Sequence, residues 1–395
     1  MTQMNIRPII YGTLTMLAVL LPTGCTSDES PDTSNVVQFV TGMEQAVTRS
    51  STRDNMWNTT DRVAITDGTE VKMYKPTAEG ASIALVKDES VEKPFYWAIG
   101  KGDMTFSAWS PYTATNESME VAVAADQRAT SSDPITDSGT LTDAEFNAYD
   151  LLYAPPITAA SGTSVPLQFY HQMAHIVVYI IGVATDQQQD PETGLYIDHG
   201  EKEEITSVVL GSDAAKIALS GTLQRRGVTG QEATEANEAQ WSVNAATSTI
   251  TMRDMDTQAG QVVAGYKKRR IYECILPPQS GGTNPEYEYD STTKQYKVKS
   301  DAHGTVLLTF YTTSRNGDNP YRFESAFDYK AGYQYVYYIG LQRAGLYVAY
   351  KVDDWASVET NGASSIFNYM DHPGAFIADW TAPGNTITGN LGKFD

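Results

Sequence analysis

Short runs of β-branched and aromatic residues, each closed by Gly, Pro, Asp or Asn, fill most of this chain. Arg62–Thr66, Glu70–Tyr74, Phe95–Ile99 and Met104–Trp109 are four of them. Many alternate apolar and polar residues, the period of a half-buried strand, and their turns fall at the spacing of β-sandwiches. Nowhere do apolar residues recur at a sustained helical period between caps. Glu232–Trp241 is the best helix candidate, and its polarity suits an exposed loop equally well. The pattern predicts an all-β fold.

At 395 residues the chain is too long for one ordinary domain. Two all-β domains of about 150–200 residues each account for it. A linker-like segment, Pro155–Ser164, precedes the longest apolar run, Val165–Gly182, which is apolar on both faces in its second half. The domain boundary is placed there, within about fifteen residues either way. Ile205–Leu210, Gly260–Gly265, Arg270–Leu276, Thr305–Tyr311, Tyr333–Leu341 and Gly345–Val352 are the strands expected beyond it. Forty residues follow Trp355, more than a sandwich needs to close.

The N-terminus reads as an export signal. Arg7 is followed by an apolar run, Ile9–Leu21, long enough for a signal core and too short for a membrane span. The run ends in Leu21-Pro22-Thr23-Gly24-Cys25, which resembles a lipobox, with Cys25 as the acylated residue. The following Thr26-Ser27-Asp28-Glu29 resembles the acidic tract of surface-exposed lipoproteins. Several acyl chains would hold such a precursor firmly, at about 0.8 kcal/mol per buried CH₂. The second cysteine, Cys274, then has no partner and reads as a small buried hydrophobe on a strand.

Beyond a polar tether, Val36, Val37, Phe39 and Val40 form a short strand, and a polar segment with Arg49 and Arg53 follows. Such exposed, small-residue segments are where proteases cut.

The formal charge is −20, and no basic block is longer than Lys267–Arg270, so nucleic acid and anionic lipid surfaces are poor partners. His171 and His175 stand four apart with Phe169, Met173 and Val177 on the same strand face, which favours packed histidines over metal ligands. Asp254-Met255-Asp256 lacks the glycine and glutamate of a calcium loop. No nucleophile elbow, phosphate loop or dinucleotide fingerprint is present, and no cofactor or metal is implied. Tyr333, Tyr335, Tyr337, Tyr338, Tyr347 and Tyr350 would suit either an exposed sugar platform or, more commonly, a shielded sheet face.

In order along the chain, several segments resemble the fimbrillin (Mfa-like) family of bacterial fimbrial subunits. They are Thr52–Trp57 with Asp61–Ile65, Met104–Tyr112, Tyr149–Ala154, Val165–Ile176, Tyr329–Tyr335 and Gly345–Trp355. Each motif alone is weak; their order carries the likeness. Residues 186–257 contain nothing that aligns with it.

The resemblance implies two tandem transthyretin-like β-sandwiches of Greek-key type after a lipoprotein signal peptide. Its segments are a signal at 1–24, a propeptide at 25–53, sandwich domains at 54–164 and 165–355, and a tail at 356–395. It also implies a non-enzymatic fimbrial subunit on the outer membrane, with an arginine-specific protease and other fimbrial subunits as partners. Cleavage after Arg49 or Arg53 would release the strand Val36–Val40, and a neighbour's strand would take its place. In the tail, Phe376, Ile377, Ala378 and Trp380 are the candidate donor residues, with Asn385–Gly389 a second candidate. The alternatives are a lipid-anchored adhesin that never polymerises, binding a host protein or glycan, and a β-sandwich hydrolase built on paired carboxylates.

Overall fold

The structure, a computed structural model, describes residues 35–43, 57–98, 102–114, 118–129, 139–184, 187–189, 196–198, 205–224, 240–254, 269–290, 295–312, 320–342, 345–354, 376–378 and 389–390. The described residues are almost entirely strands. One short helix, α1 (Asp143–Asn147), interrupts them. It starts on a capping box, with Thr142 accepting from the Glu145 amide and Glu145 reaching back to the Thr142 amide. The candidate helix over Glu232–Trp241 is not one where it is described, since Gln240 and Trp241 belong to a strand. Trp241 pairs there with Leu223 on the neighbouring strand, which overrides a weak local helical bias.

The first eight strands are β1 (Phe39–Met43), β2 (Val63–Thr66), β3 (Val71–Pro76), β4 (Ala84–Lys87), β5 (Met104–Ser110), β6 (Ser118–Ala122), β7 (Leu152–Ala159) and β8 (Val165–His171). Seven of them, all but β6, hydrogen-bond into a closed barrel in the order β1-β4-β3-β2-β5-β7-β8. Neighbours around it are antiparallel except at one seam, where β1 runs parallel to β8. The barrel thus has no open edge among the described residues, because β1 fills the gap between β4 and β8. Of Phe95–Ile99, expected as a strand, the described residues Phe95–Ala98 make an isolated bridge at Tyr96, and Ile99 lies outside the described residues.

The second half continues with β9 (Ala174–Ala184), β10 (Gln187–Gln189), β11 (Tyr196–Asp198), β12 (Ile205–Leu210), β13 (Ser220–Gln224), β14 (Gln240–Val243), β15 (Ile250–Thr251), β16 (Arg253–Asp254) and β17 (Arg269–Leu276). Then come β18 (Gln279–Gly281), β19 (Tyr287–Asp290), β20 (Gln295–Val298), β21 (Val306–Thr312), β22 (Tyr321–Glu324), β23 (Phe327–Tyr329), β24 (Tyr333–Gln342) and β25 (Gly345–Asp354). A five-stranded sheet, β16-β17-β9-β24-β25, and a four-stranded sheet, β15-β12-β21-β22, share one core. Residues such as Val178, Leu210, Phe310 and Tyr337 fill it. Two-stranded pairings join β10 to β11, β18 to β23 and β19 to β20. In the tail, β26 (Phe376–Ala378) pairs with β27 (Gly389–Asn390).

The run Val165–Gly182 is two strands, not one. Chain direction changes at Gln172-Met173, where the Gln172 amide donates to Leu151 O and Met173 O accepts from the Gly332 amide. β8 stays in the barrel and β9 enters the five-stranded sheet. β8 alternates buried with half-buried or exposed residues, whereas the described side chains of β9 are buried on both faces, and the apolar residues continue across the crossing without a turn signal.

The halves are stitched together. β6 pairs with β13, and the resulting sheet β14-β13-β6 covers a third core of Trp109, Met119, Phe146, Tyr153, Leu223 and Ile275. The Gln127 side chain, fully buried, donates to Ile275 O at 2.8 Å and accepts from the Ile275 amide at 3.0 Å. It completes the edge of β17 as a neighbouring strand would.

Candidate functional site

The N-terminal strand is the feature that sets the two halves apart, and its alternation dictates how it sits. Val37, Phe39 and Thr41 are buried, while Gln38 between them is exposed and Val36 and Val40 are half-buried. Odd positions therefore enter the barrel and even positions face outward, as a pleated strand requires. The hydrogen-bonded strand lies slightly later than the sequence suggests, over Phe39–Met43, because Val36 and Val37 pair instead with the irregular Phe95–Tyr96 segment. There the Val37 amide donates to Phe95 O, and the Trp97 amide donates to Asn35 O.

Phe39 is the central anchor. Its ring stands edge-on to Tyr74 and Phe106, each with centroids 5.1 Å away, and to Phe95 at 6.1 Å. Tyr74 is held by its hydroxyl, which accepts from the Phe95 amide at 3.0 Å, and burial pushes its phenol up to about 12. Burial of Val37 and Phe39 contributes about 1.5–3 kcal/mol each.

Thr41 holds the strand by a different means. Its amide donates to Ile83 O at 2.8 Å, its hydroxyl also donates to that oxygen, and the hydroxyl accepts from the Ile83 amide at 3.1 Å. A buried side-chain oxygen thus stands in for a backbone carbonyl at the end of the β1–β4 ladder. On the other flank, Phe39 to Met43 register with Val165 to Phe169, and the Val165 amide donates to Gln38 O at 2.8 Å.

Trp57 fixes the chain where it re-enters the barrel. It exchanges two backbone hydrogen bonds with Gly80, at 3.0 and 3.1 Å, and its ring meets Phe169 edge-on at 4.9 Å. Trp57 and Phe39 belong to the same core. Between β1 and Trp57 run residues 44–56, which contain Arg49 and Arg53; both lie outside the described residues, as do Cys25 and Trp380. Phe376, Ile377 and Ala378 form β26, which pairs only with β27 among the described residues. Sequence reasoning missed Thr41 and the aromatic socket. The period-two pattern Val37-Phe39-Thr41 was the signal for the first, whereas no local signal connects Phe39 to Tyr74 or Phe106.

The other candidates are structural where they are described. His171 and His175 fall on different strands, not one face. His171 Nδ1 lies 2.7 Å from Asp150, and His175 Nε2 lies 3.0 Å from the fully buried Glu273, with Gln334 on its other nitrogen at 2.9 Å. Arg253 completes this patch, pairing with Asp143 and lying over the Phe146 ring. Burial pushes the Cys274 thiol up and keeps it protonated. Tyr335 and Tyr337 are buried, each hydroxyl paired, to Asp328 O and Tyr329 respectively, so they offer no sugar platform.

A sequence profile described as fimbrillin-like matches residues 48–355, starting beyond β1 and stopping at Trp355. No curated protein matches the chain. Among solved structures, a candidate cell adhesion protein of Bacteroides ovatus is 17% identical with a TM-score of 0.50, over 82% of this chain and 98% of that one. Another, from Bacteroides uniformis, is 17% identical with a TM-score of 0.49, over 83% of this chain and all of its own. A fimbrial protein of Bacteroides vulgatus is 11% identical with a TM-score of 0.34, over 81% of this chain and 99% of that one. At these identities the B. ovatus likeness shows a shared fold.

Proposed function

Because the chain belongs to the fimbrillin-like family, we propose that it is a structural subunit of a bacterial surface fimbria, contributing to adhesion and assembled by exchange of β1 for a neighbour's strand. The family is fimbrial and adhesive, not enzymatic. In this reading the precursor is exported and acylated on Cys25 and reaches the outer membrane. An arginine-specific protease then cuts after Arg49 or Arg53, and β1 leaves. The groove between β4 and β8 accepts a strand from another fimbrial subunit. The tail, through Phe376, Ile377, Ala378 and Trp380, enters a neighbour in turn.

One observation supports this most. β1 closes the barrel and inserts Phe39 into its core, yet it joins the rest of the barrel only through residues 44–56. A core strand on the far side of a cleavable segment can be replaced without rebuilding the domain. Backbone pairing supplies the strength and alternate pockets supply the register. Trp57 would remain as the new end's anchor.

The test is the N-terminal sequence of the protein recovered from the cell surface, with its migration in SDS. A terminus at Ser50 or Asp54 together with SDS-resistant ladders is the expected result. An acylated Cys25 terminus on a strict monomer would overturn it and leave a lipid-anchored adhesin.

A further inference from the structure

We infer that the groove is selective: it takes a strand carrying an aromatic residue two positions before a threonine or serine, in preference to any strand drawn from residues 356–395 of a second copy. The inference rests on the strand-exchange reading and adds to it the identity of the strand.

The Phe39 position is an aromatic socket walled by Tyr74, Phe95 and Phe106. Two residues on, the pocket is not apolar. Ile83 turns both its amide and its carbonyl toward the groove, and the Thr41 hydroxyl answers both. Thr41 is 1% exposed, so water does not reach this oxygen. A strand with Ala or Val at this position fills the space and leaves the Ile83 amide without its acceptor, the asymmetric penalty of a broken buried hydrogen bond. Serine or threonine is the shortest side chain that reaches. The direction is set as well, since an entering strand that reproduces the pairing runs parallel to β8 and antiparallel to β4.

The chain's own tail lacks the pattern. From Ala356 to Asp395 the aromatic residues are Phe367, Tyr369, Phe376, Trp380 and Phe394. The residues two positions beyond the first four are Tyr369, Asp371, Ala378 and Ala382. Phe376 could enter the socket, but Ala378 would then face Ile83. Thr388 could face Ile83, but Thr386 would then stand in the aromatic socket. Residues 356–395 therefore suit this groove less well than the strand that fills it.

The full chain, cut with an arginine-specific protease, is incubated with biotinylated peptides and the captured peptide is measured. The probes are residues 35–43, the same peptide with Thr41→Ser or Thr41→Val, and overlapping peptides covering 356–395. Capture of the native and serine peptides is expected, with the valine peptide about tenfold weaker, the loss of roughly one buried hydrogen bond. Every tail peptide should be weaker still. Failure to capture even the native peptide overturns strand exchange and the selectivity with it. Equal capture of the valine peptide or of a tail peptide overturns selectivity alone. In the intact chain, Thr41→Val should speed hydrogen exchange at the Ile83 amide while Thr41→Ser leaves it protected. Unchanged protection in both would also overturn it.

Discussion

In the C-terminal half, the described residues of the core around Val178, Phe310 and Tyr337 come from between Ala174 and Ile339. In the N-terminal half, the core around Tyr74, Phe95 and Phe106 is finished by Val37 and Phe39, which arrive from the far side of the segment that carries Arg49 and Arg53. Both cores are equally dry at their centres. What differs is connectivity. Under the proposed strand exchange, a core completed from across the segment that carries Arg49 and Arg53 can release its strand, whereas one completed from within its own run of chain cannot without unfolding. The strand in question enters at the barrel's one parallel seam, β1 against β8; the other half has its own parallel pairing, β24 against β9.

The strongest way to break this contrast is to empty each core in turn. Phe39→Ala and Phe310→Ala should each cost about 3–5 kcal/mol, typical of a buried phenylalanine. Read by hydrogen exchange, Phe39→Ala should deprotect β2–β5 while leaving β9 and β17 protected, and Phe310→Ala should do the reverse. If either substitution deprotects both halves equally, they unfold as one cooperative unit and the contrast fails.

A smaller effect is expected at the stitch. Gln127→Ala removes both hydrogen bonds to Ile275 and leaves buried backbone groups of β17 unpaired, at a cost of about 1–3 kcal/mol. The urea transition should broaden or split as the halves uncouple. A uniform shift with unchanged slope would mean that the shared core around Phe146 and Ile275 holds them together without Gln127.

The smallest effect concerns acid. Hydrogen bonding from Arg128 holds the Asp126 carboxyl below the usual carboxylate range, against the opposing pull of desolvation. The folded state therefore gives up this proton more readily than the unfolded chain. Its contribution is present above the unfolded value, about pH 4, and is lost as pH falls through the folded one. Because Asp126 is half exposed, solvent screens most of the effect. Asp126→Asn should slightly flatten the fall of urea midpoint on acidification, and a curve parallel to the parent would remove the residue from the account.

Much of the fold was legible beforehand. Ile205–Leu210 coincides with β12, and Arg270–Leu276 with nearly all of β17, because β-branched and aromatic residues between turn formers leave few other options. The helix α1 with its capping box was not anticipated, because a single turn leaves no helical period to read. The boundary between β8 and β9 was not, since apolar residues continue on both sides of Gln172 and read as one run. Of the candidate site, the short strand with Val37 and Phe39 was visible, but not Thr41 or what each would meet.

The sequence by itself determined the strand class, a short strand over Val36–Val40, and the arginines that follow it. These are local properties, set by side-chain period and turn chemistry. Only the tertiary structure decided that this strand closes the barrel between β4 and β8, that Phe39 meets Phe106, and that Thr41 answers Ile83, forty-two residues away. Pairing across such distances depends on which edges remain open after the other strands have paired, and no single strand encodes that.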